Sequence, residues 1–498
     1  MPFEGIRTAG ILGAGLSGLV TARMLLTEGI DCTVFERREE LGGVWADGYA
    51  GFGVQVQKDL YEFPDWPLPP EVPDFTPGPV FRGYLAAYSD AFDVTPVIRF
   101  GAKVVRVARR HGAEGWCLTV CEQGETRDVE FDLVVVCVGQ FSSRPNVPTY
   151  PGQDEFAGEI IHNSAFKSRE KARGRRVLVV GYGKSATDAA LEAVEVAART
   201  HLLVRTPYWP VPRRVLGALP VKWILLTRMT SALLPLYQRP SAIERGVHRV
   251  ARPLVWAFWR LVERVVQSQF RLGGRPPEVP GLLPSLPVEL SAFQEVTMLP
   301  RPQLYKLIRS GGIALHRSEI DAFAEDGVTL RNGEQIDADL VILATGWRTD
   351  YEFLGEEVTH ALHMGDDGFY LYRHLLHPDL PNLVFLGCHA ITYQAILTSS
   401  LQARWLAELV KGRHRLPSGE AMRREIDAMK AWKRSWMPAR PSRGAMVGLH
   451  QIHYHDELVR DMGLDPRRKT GLLAPLKELF GPYVCQDYAT VVSGEALR

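Results

Sequence analysis

Two glycine-rich turns constrain the fold of this chain more than any other feature of its sequence. The turns have the same pattern and comprise Gly13, Ala14, Gly15, Ser17 and Gly18 in the first case, and Gly181, Gly183, Lys184, Ser185 and Ala186 in the second. Each turn follows a short apolar run and precedes an apolar helical segment, which is the setting of a dinucleotide-binding unit. Glycine lets the backbone approach a pyrophosphate, and the helix N-terminus offers it free N–H groups. We therefore predict an α/β protein with two Rossmann-like dinucleotide-binding domains (an FAD/NAD(P)-binding fold) and a helical insert.

The first turn lies in a complete strand–helix–strand pattern. Strands are predicted over residues 6–12 and 31–35, with a helix between them from 16 to about 27. Glu36 ends the second strand, at the place where an acid accepts hydrogen bonds from ribose hydroxyls. Glu36 alone would suit either FAD or NAD.

A second pair of glycines follows this first unit. Gly42 and Gly43 precede Val44 and Trp45, shortly after Glu36. Such a pair just past the ribose-binding acid is typical of FAD proteins. The first unit is therefore predicted to bind FAD.

The second unit ends its second strand on a cation. Strands are predicted over 176–180 and 201–204, with a helix from 184 to about 198, and Arg205 stands where Glu36 stands in the first unit. A cation suits the 2′-phosphate of NADP, and an acid would repel it. This favours NADPH over NADH; the alternative is a solvated surface arginine.

Composition limits the remaining possibilities. The chain has 498 residues, 46% of them hydrophobic and 23% charged, with a net charge of +1, so nothing indicates a nucleic-acid partner. Its six cysteines form no C-x-x-C pair, which argues against a disulfide framework, a zinc cluster or a disulfide reductase. The first strand begins too early to leave room for a signal peptide, and no apolar run reaches about 18 residues. We expect a cytoplasmic protein, with membrane association left open.

The segment between the two units carries a family resemblance. Residues 156–167 fit the pattern F-x-G-x-x-x-H-x-x-x-[YF], with His162 at its centre and Phe166 at its end. This motif resembles that of the flavin-containing monooxygenases, which are class B flavoprotein monooxygenases related to Baeyer–Villiger monooxygenases. The latter carry tryptophan at the end of the motif, so Phe166 favours the former group. Residues 59–67, 339–346, 382–387 and 401–405 are also similar to segments of the family, and Thr345 and Gly346 belong to its A-T-G motif.

The resemblance implies a reaction. FAD is reduced by NADPH, NADP⁺ stays bound, and O₂ adds to flavin C4a. The resulting C4a-hydroperoxide transfers one oxygen atom to a nitrogen or sulfur centre of a small molecule. Baeyer–Villiger oxygenation of a ketone and an uncoupled NADPH oxidase remain alternatives.

Gln55 departs from the family pattern. It takes the place where the family usually has an asparagine beside the flavin and the nicotinamide, and the resemblance implies a catalytic role for it. Gln55 can form the same kinds of hydrogen bond but is one methylene longer; the alternative is an ordinary polar loop residue. The predicted cofactor-binding residues also include Val56, Val104 and Asp188.

The predicted organisation is discontinuous. Residues 1–165 and 345–498 form the FAD-binding domain and a C-terminal tail, and 166–344 form the NADP-binding domain with a helical insert at about 215–290. Apolar helices are expected over 219–236 and 255–266. The part of the insert from 215 to 275 has three interpretations: a lid over the substrate, a homodimer contact, or a monotopic membrane contact.

Histidines are not expected to bind a metal in this chain. His450, His453 and His455 lie close together, but no cysteine or periodic set of carboxylates joins them. His162 is interpreted as a structural residue that orients the linker between the domains.

Overall fold

Two parallel sheets carry the two glycine turns in the computed structural model. The structure describes residues 3–112, 114–141, 144–273, 281–294, 300–348 and 351–497.

Within these residues there are 22 strands, numbered in chain order. They are β1 (Thr8–Leu12), β2 (Asp31–Phe35), β3 (Ile98–Arg99), β4 (Lys103–Arg109), β5 (Trp116–Glu122), β6 (Glu125–Phe131), β7 (Leu133–Val136), β8 (Arg144–Pro145), β9 (Glu159–His162), β10 (Arg176–Val180), β11 (Arg199–Leu203), β12 (Arg214–Val215), β13 (Leu219–Pro220), β14 (Ala314–His316), β15 (Ile320–Ala324), β16 (Gly327–Leu330), β17 (Gln335–Asp337), β18 (Leu340–Leu343), β19 (Trp347–Arg348), β20 (Leu383–Phe385), β21 (Ile391–Thr392) and β22 (Met446–Gly448).

The same described residues form 15 α-helices. They are α1 (Leu16–Thr27), α2 (Gly78–Ala91), α3 (Lys184–Val194), α4 (Lys222–Leu225), α5 (Arg228–Leu233), α6 (Ala242–Val250), α7 (Arg252–Phe270), α8 (Val288–Ser291), α9 (Gln303–Arg309), α10 (Glu356–Leu362), α11 (Ala395–Val410), α12 (Gly419–Trp436), α13 (Gln451–Asp461), α14 (Ala474–Phe480) and α15 (Ala489–Ser493).

Each large sheet has five strands, and all of its strand pairs are parallel. The first has the order β20-β7-β1-β2-β3, and the second has the order β14-β11-β10-β18-β9. We call these sheets, with the helices packed on them, the first and second units. Strands β1, β7, β10 and β18 are almost wholly buried apolar runs, as expected of central strands covered on both faces. The α/β fold with parallel sheets that the turns predict is confirmed.

The chain passes between the two units twice. Where it leaves and returns, β8 and β19 pair antiparallel. His162 Nε2 lies 3.0 Å from the carbonyl oxygen of Gly346, so the linker motif contacts the return segment directly. The proposed domain boundaries at 165 and 344 fall beside these crossings and stay a prediction.

The insert is more broken than the sequence pattern predicts. Instead of one helix over 219–236, the structure has α4 and α5, because Thr227 adopts an extended conformation and caps α5 through its side chain. The other predicted helix, over 255–266, is the central part of α7, and α6 precedes it. Residues 274–280 of the insert lie outside the described residues. Of the helices described, none is both long and apolar enough to cross a membrane.

Candidate cofactor and substrate cavity

A large cavity connects the two glycine turns. Its volume is about 1620 Å³, and it is lined by the turns after β1 and β10 and by the segments that follow β7 and β18. Ligands of open α/β sheets bind at these carboxyl ends of the strands. The volume exceeds the range of about 300–1,000 Å³ that is usual for a pocket holding one small ligand. The cavity therefore has room for more than one.

The first turn requires glycine for steric reasons. Gly13 has φ +102°, and a Cβ there would lie 2.8 Å from the carbonyl oxygen of Cys137. A Cβ at Gly18 would overlap the carbonyl oxygen of Gly13. At Gly15, by contrast, a Cβ would meet only Gly43, at 3.7 Å, so the protein itself would accept a methyl group. What Gly15 keeps open is the floor of the cavity, as a bound pyrophosphate requires.

Glu36 is fixed at the cavity wall where β2 ends. It is 4% exposed, and its carboxylate accepts hydrogen bonds from the backbone N–H of Ala14, at 2.8 Å, and of Arg38, at 3.0 Å. These bonds hold a buried carboxylate beside the first turn. The position and chemistry fit a ribose.

The second turn repeats this construction. Gly181 has φ +132°, and a Cβ there would lie 2.6 Å from the carbonyl oxygen of Ala344. Gly183 is the N-cap of α3, so the first N–H groups of that helix face the cavity edge. Burial lowers the pKa of the Lys184 amine, and the carboxylate of Asp188, with which it forms an ion pair, offsets part of that change.

Arg205 lies in a recess of this cavity whose lining is net positive, with Arg331 in an ion pair with Glu319. A side pocket of about 230 Å³ is lined by Arg205, Arg317 and Arg331, together with Ser318 and Glu319. Arg317 donates to the carbonyl oxygen of Val204 at 3.0 Å and to that of Arg205, so it stiffens the backbone that carries Arg205.

Sequence reasoning missed Arg317 and Arg331. They follow β14 and β16, far along the chain from β11, and only the pairing of β14 with β11 brings Arg317 beside Arg205. The usable signal was a cation directly after a strand that neighbours β11.

Two side-chain amides at the cavity wall lack partners. The buried Oε1 of Gln55 and Oδ1 of Asn163 have no hydrogen-bond partner among the described residues, and both residues line the cavity. Unsatisfied buried acceptors are costly, by about 1–3 kcal/mol each. A ligand with N–H or O–H donors would satisfy them. With the open floor at Gly15 and the carboxylate of Glu36, these acceptors make the cavity fit dinucleotide cofactors. Asn163 was not identified from the sequence.

Most residues that the sequence predicts at the site do line this cavity. They are Gly13, Gly15, Ser17, Glu36, Gly43, Val44, Trp45, Gln55, Val56, Val104, Gly181, Gly183, Lys184, Ser185, Arg205, Thr345 and Gly346. Four do not: Ala14, Gly18, Ala186 and Asp188. The carboxylate of Asp188 is 1% exposed and bonds to protein groups, so this geometry gives it no direct contact with a cofactor.

Comparison with known protein families identifies related sequences. The model of the family described as "FMO-like: Flavin-binding monooxygenase-like" matches residues 6–247 and 296–495. A probable flavin-containing monooxygenase 1 of Arabidopsis thaliana is 30% identical over 520 residues, covering 96% of this chain and 95% of that protein. Flavin-containing monooxygenase 1 of Homo sapiens is 28% identical, covering 97% of this chain and 88% of that protein.

Solved structures share the fold at low sequence identity. S-allyl-L-cysteine S-oxygenase from Allium sativum is 20% identical, with a TM-score of 0.63 over 99% of this chain and 93% of that one. An oxidized steroid monooxygenase bound to NADP is 19% identical, with a TM-score of 0.68 over 91% of this chain and 96% of that one. The gap in the family match, residues 248–295, contains α7 and α8.

We predict that Gly15→Ala weakens flavin binding without unfolding the protein. The backbone at Gly15 has φ −80°, which alanine adopts freely, and its methyl group would make only ordinary contact with Gly43. The methyl group would instead occupy the floor where the pyrophosphate approaches. We expect the Kd for FAD to rise about tenfold or more, equivalent to about 1.4 kcal/mol. Rebinding of FAD to the deflavinated protein, followed by flavin fluorescence, measures this.

The control for Gly15→Ala is Gly83→Ala. Gly83 lies in α2, and a Cβ there meets nothing within 4 Å. Equal Kd values for both variants and the parent would contradict the role given to the first turn.

Proposed function

We propose that this chain, which belongs to the flavin-binding monooxygenase-like family, transfers one oxygen atom from O₂ to a nitrogen or sulfur centre of a small molecule. It is an FAD-containing, NADPH-dependent monooxygenase. The observation that carries the proposal is the shared cavity, in which both glycine turns and the unpaired amide of Gln55 face one space.

The first unit would hold FAD. N–H groups of the first turn would bind its pyrophosphate, and Glu36 would accept hydrogen bonds from its ribose. Reduced FAD, once bound, activates O₂, so the cofactor supplies the redox chemistry and the protein supplies position and dryness. The chain's own contribution is to orient the flavin towards the second turn and to close the space around it.

The second unit would hold NADPH. The N-terminus of α3 would bind the pyrophosphate, and the recess of Arg205, Arg317 and Arg331 would bind the 2′-phosphate. Gln55 and Asn163 would offer their unpaired oxygens between the two cofactors. The carboxamide of the nicotinamide and the flavin ring N–H would be suitable donors to those oxygens.

We predict that Arg205→Ala weakens the binding of NADPH much more than that of NADH. Charge-assisted hydrogen bonds are worth about 1.5–3 kcal/mol, so the Kd for NADPH should rise about 10- to 100-fold. NADH lacks the 2′-phosphate and should be little affected. Titration of both nucleotides into the holoenzyme measures the difference.

Arg110→Ala is the matched control for Arg205→Ala, because Arg110 pairs with Glu130 on an antiparallel sheet edge. If Arg205→Ala weakened both nucleotides equally, the 2′-phosphate assignment would be wrong.

The reaction needs little acid–base chemistry from the protein. One NADPH, one H⁺, one O₂ and one acceptor give NADP⁺, H₂O and the oxygenated acceptor. Without an acceptor, the same NADPH, H⁺ and O₂ give NADP⁺ and H₂O₂. One wall of the cavity comes from β21, β22 and Ala292, and its described residues carry no charge. This wall would keep water from the acceptor site.

The acceptor class rests on the linker motif. Phe166 is fully buried in the core of the second unit, at the place where Baeyer–Villiger monooxygenases carry tryptophan. A structurally similar protein named as an S-oxygenase supports sulfur as an acceptor. A steroid monooxygenase with the same fold keeps ketone oxygenation as the alternative. The longer side chain of Gln55 keeps an uncoupled NADPH oxidase as the second alternative.

We predict that the holoenzyme, given NADPH and ¹⁸O₂, forms labelled sulfoxide or N-oxide from a thioether or a tertiary amine. Mass spectrometry of products from methyl phenyl sulfide, N,N-dimethylaniline and cyclohexanone tests this, with H₂O₂ measured in parallel. Lactone as the only product would establish the ketone reaction. H₂O₂ equal to NADPH consumed with every probe would establish an oxidase.

Helices α6 and α7 expose apolar and basic side chains together. Exposed fractions are 83% for Val250, 72% for Leu254 and 63% for Trp256. The exposed charges on the two helices and at their ends are arginines: Arg245, Arg249, Arg252, Arg264 and Arg271.

The acidic residues of these helices do not offset that charge. Glu244 pairs with His453, and Glu263 pairs with Arg260. Apolar side chains that are exposed among cations fit an anionic lipid surface. We therefore propose a monotopic membrane contact here, in preference to a homodimer contact or a lid.

We predict that the holoenzyme cosediments with vesicles of phosphatidylcholine and phosphatidylglycerol, and does so less at high salt. The double variant Leu254→Ser and Trp256→Ser should lower the bound fraction several-fold. Val80→Ser, which removes an exposed apolar side chain from α2, should not. A parent that ignores vesicles but elutes as a dimer, which the double variant dissociates, would assign the surface to a second copy instead.

A further inference from the structure

Five consecutive residues of the first unit are each bonded to the second unit. We call this segment, Asp47–Gly51, the strap. At its start, the Lys167 amine donates to the carbonyl oxygens of Asp47, at 3.2 Å, and Gly48, at 3.1 Å. The backbone N–H of Ala50 donates to the carbonyl oxygen of Phe166 at 2.7 Å. Ala50 also belongs to the hydrophobic core of the second unit.

The side-chain bonds of the strap converge on helix α3. Tyr49 donates its hydroxyl to Asp188 Oδ2 at 3.1 Å. The carbonyl oxygen of Gly51 accepts a hydrogen bond from Arg301. Gly51 has φ +72°, and a Cβ there would overlap the carboxylate of Glu192, so strap and helix are in direct contact.

Arg301 joins these contacts into one network. Its Nε lies 3.2 Å from Asp188 Oδ1, and its Nη1 lies 3.0 Å from Glu192 Oε1. Its Nη2 donates a hydrogen bond to the carbonyl oxygen of Gly51. The planar guanidinium donates to two acceptors at fixed angles and adds an ion pair with Asp188, which a lysine amine cannot reproduce. One side chain thus fixes the strap to α3 from two directions.

The network is densely charged around the buried carboxylate of Asp188, while the side chain of Arg301 is 27% exposed. Asp188 is 1% exposed and also forms an ion pair with Lys184, which directly follows Gly183 of the second turn. Burial raises the pKa of Tyr49, and the adjacent carboxylate raises it further, so this phenol stays a donor. The strap is therefore linked to the turn itself through Asp188.

The first three residues of the strap line the cavity themselves, and the strap joins two further parts of the cavity wall. Gly43 and Trp45 precede it, and Gln55 follows it by four residues; all three line the cavity. Between the strap and Gln55, the N–H of Val54 donates to the carbonyl oxygen of Thr76 at 2.9 Å, which limits the freedom of this short connection. A displacement of the strap would move Gln55.

We propose that Arg301 and Tyr49 are positioning residues, which hold the Gln55 amide at a fixed distance from the second turn through the strap and Asp188. This inference rests on the proposed function, since it concerns how the two cofactors meet. Loss of the tie would let Gln55 withdraw from the nicotinamide side of the cavity. A larger share of NADPH and O₂ would then end as NADP⁺ and H₂O₂ in place of oxygenated product.

The test compares Tyr49→Phe, Arg301→Gln and Arg301→Lys with the parent holoenzyme. Three quantities are measured: FAD content, the flavin absorbance change on titration with NADP⁺, and H₂O₂ formed per NADPH oxidised. We expect FAD content to be unchanged, the Kd for NADP⁺ from the absorbance change to rise several-fold, and the peroxide share to rise several-fold. Arg301→Lys should recover part of both changes, since it keeps the charge.

Matched controls use the same substitutions at bonds that do not cross between units. Tyr370→Phe removes a hydroxyl bonded to Asp367 at 2.8 Å, and Arg173→Gln removes a guanidinium bonded to Glu170. Both controls should match the parent in all three measurements.

Two results would overturn the proposal. One is an absorbance response and a peroxide share that stay unchanged in Tyr49→Phe and Arg301→Gln. The other is a loss of FAD proportional to the changes in these two quantities, which would indicate a general structural role. The absorbance response needs no oxygenated product. If the parent formed no oxygenated product, the proposed function would fail, but the effect of the variants on NADP⁺ binding could still be measured.

Discussion

The close approach of backbone to backbone at the two glycine turns is the constraint on which the site depends. At Gly13 and Gly181 the chain turns with positive φ against a carbonyl oxygen of the neighbouring strand, that of Cys137 in one unit and Ala344 in the other. A side chain at either place would push the turn away from the sheet. The turn would then no longer direct its N–H groups, and those of the following helix, into the cavity. Two sheets of matching construction therefore place two such N-termini around one space.

Equivalent positions in the two units differ in charge, which supports the proposal that they bind different ligands. Where β2 ends, Glu36 is buried and held by two backbone N–H groups. It is therefore a fixed acceptor that can take only a few further hydrogen bonds. Where β11 ends, Arg205 is exposed and accompanied by Arg317 and Arg331. A single acid suits two ribose hydroxyls. Arg205 and Arg317, beside the ion pair of Arg331 with Glu319, would instead suit the extra phosphate of NADP. In the proposed function, the choice between FAD and NADPH would lie in the strand ends and not in the turns.

The sequence predicts well the elements that neighbouring residues determine, and it misses contacts between residues that are distant in the chain. β2, α1 and β10 have the predicted bounds, because apolar runs and glycine turns mark them within a few residues. The broken insert was missed because a Thr227 cap ends an apolar pattern that looks continuous. Asp188 was expected near a cofactor from its place after the second turn, but its carboxylate faces Tyr49 and Arg301. Such pairings depend on how the two units sit together, which no periodicity records.

The tie between the units is built from polar contacts, and this choice has a physical consequence. A buried ion pair contributes little to stability compared with apolar packing of the same volume, because both charges lose their hydration. Apolar packing, however, would allow the strap to slide along α3. The fork of Arg301 donates to Glu192 and to Gly51 and forms an ion pair with Asp188, so a small shift disturbs all three contacts together. Because Asp188 is buried, loss of its contacts is costly. Its low exposure therefore limits the contribution of this ion pair to stability but makes the pair a strict constraint on geometry. A site that brings two cofactors and an acceptor together needs that geometry more than it needs additional stability.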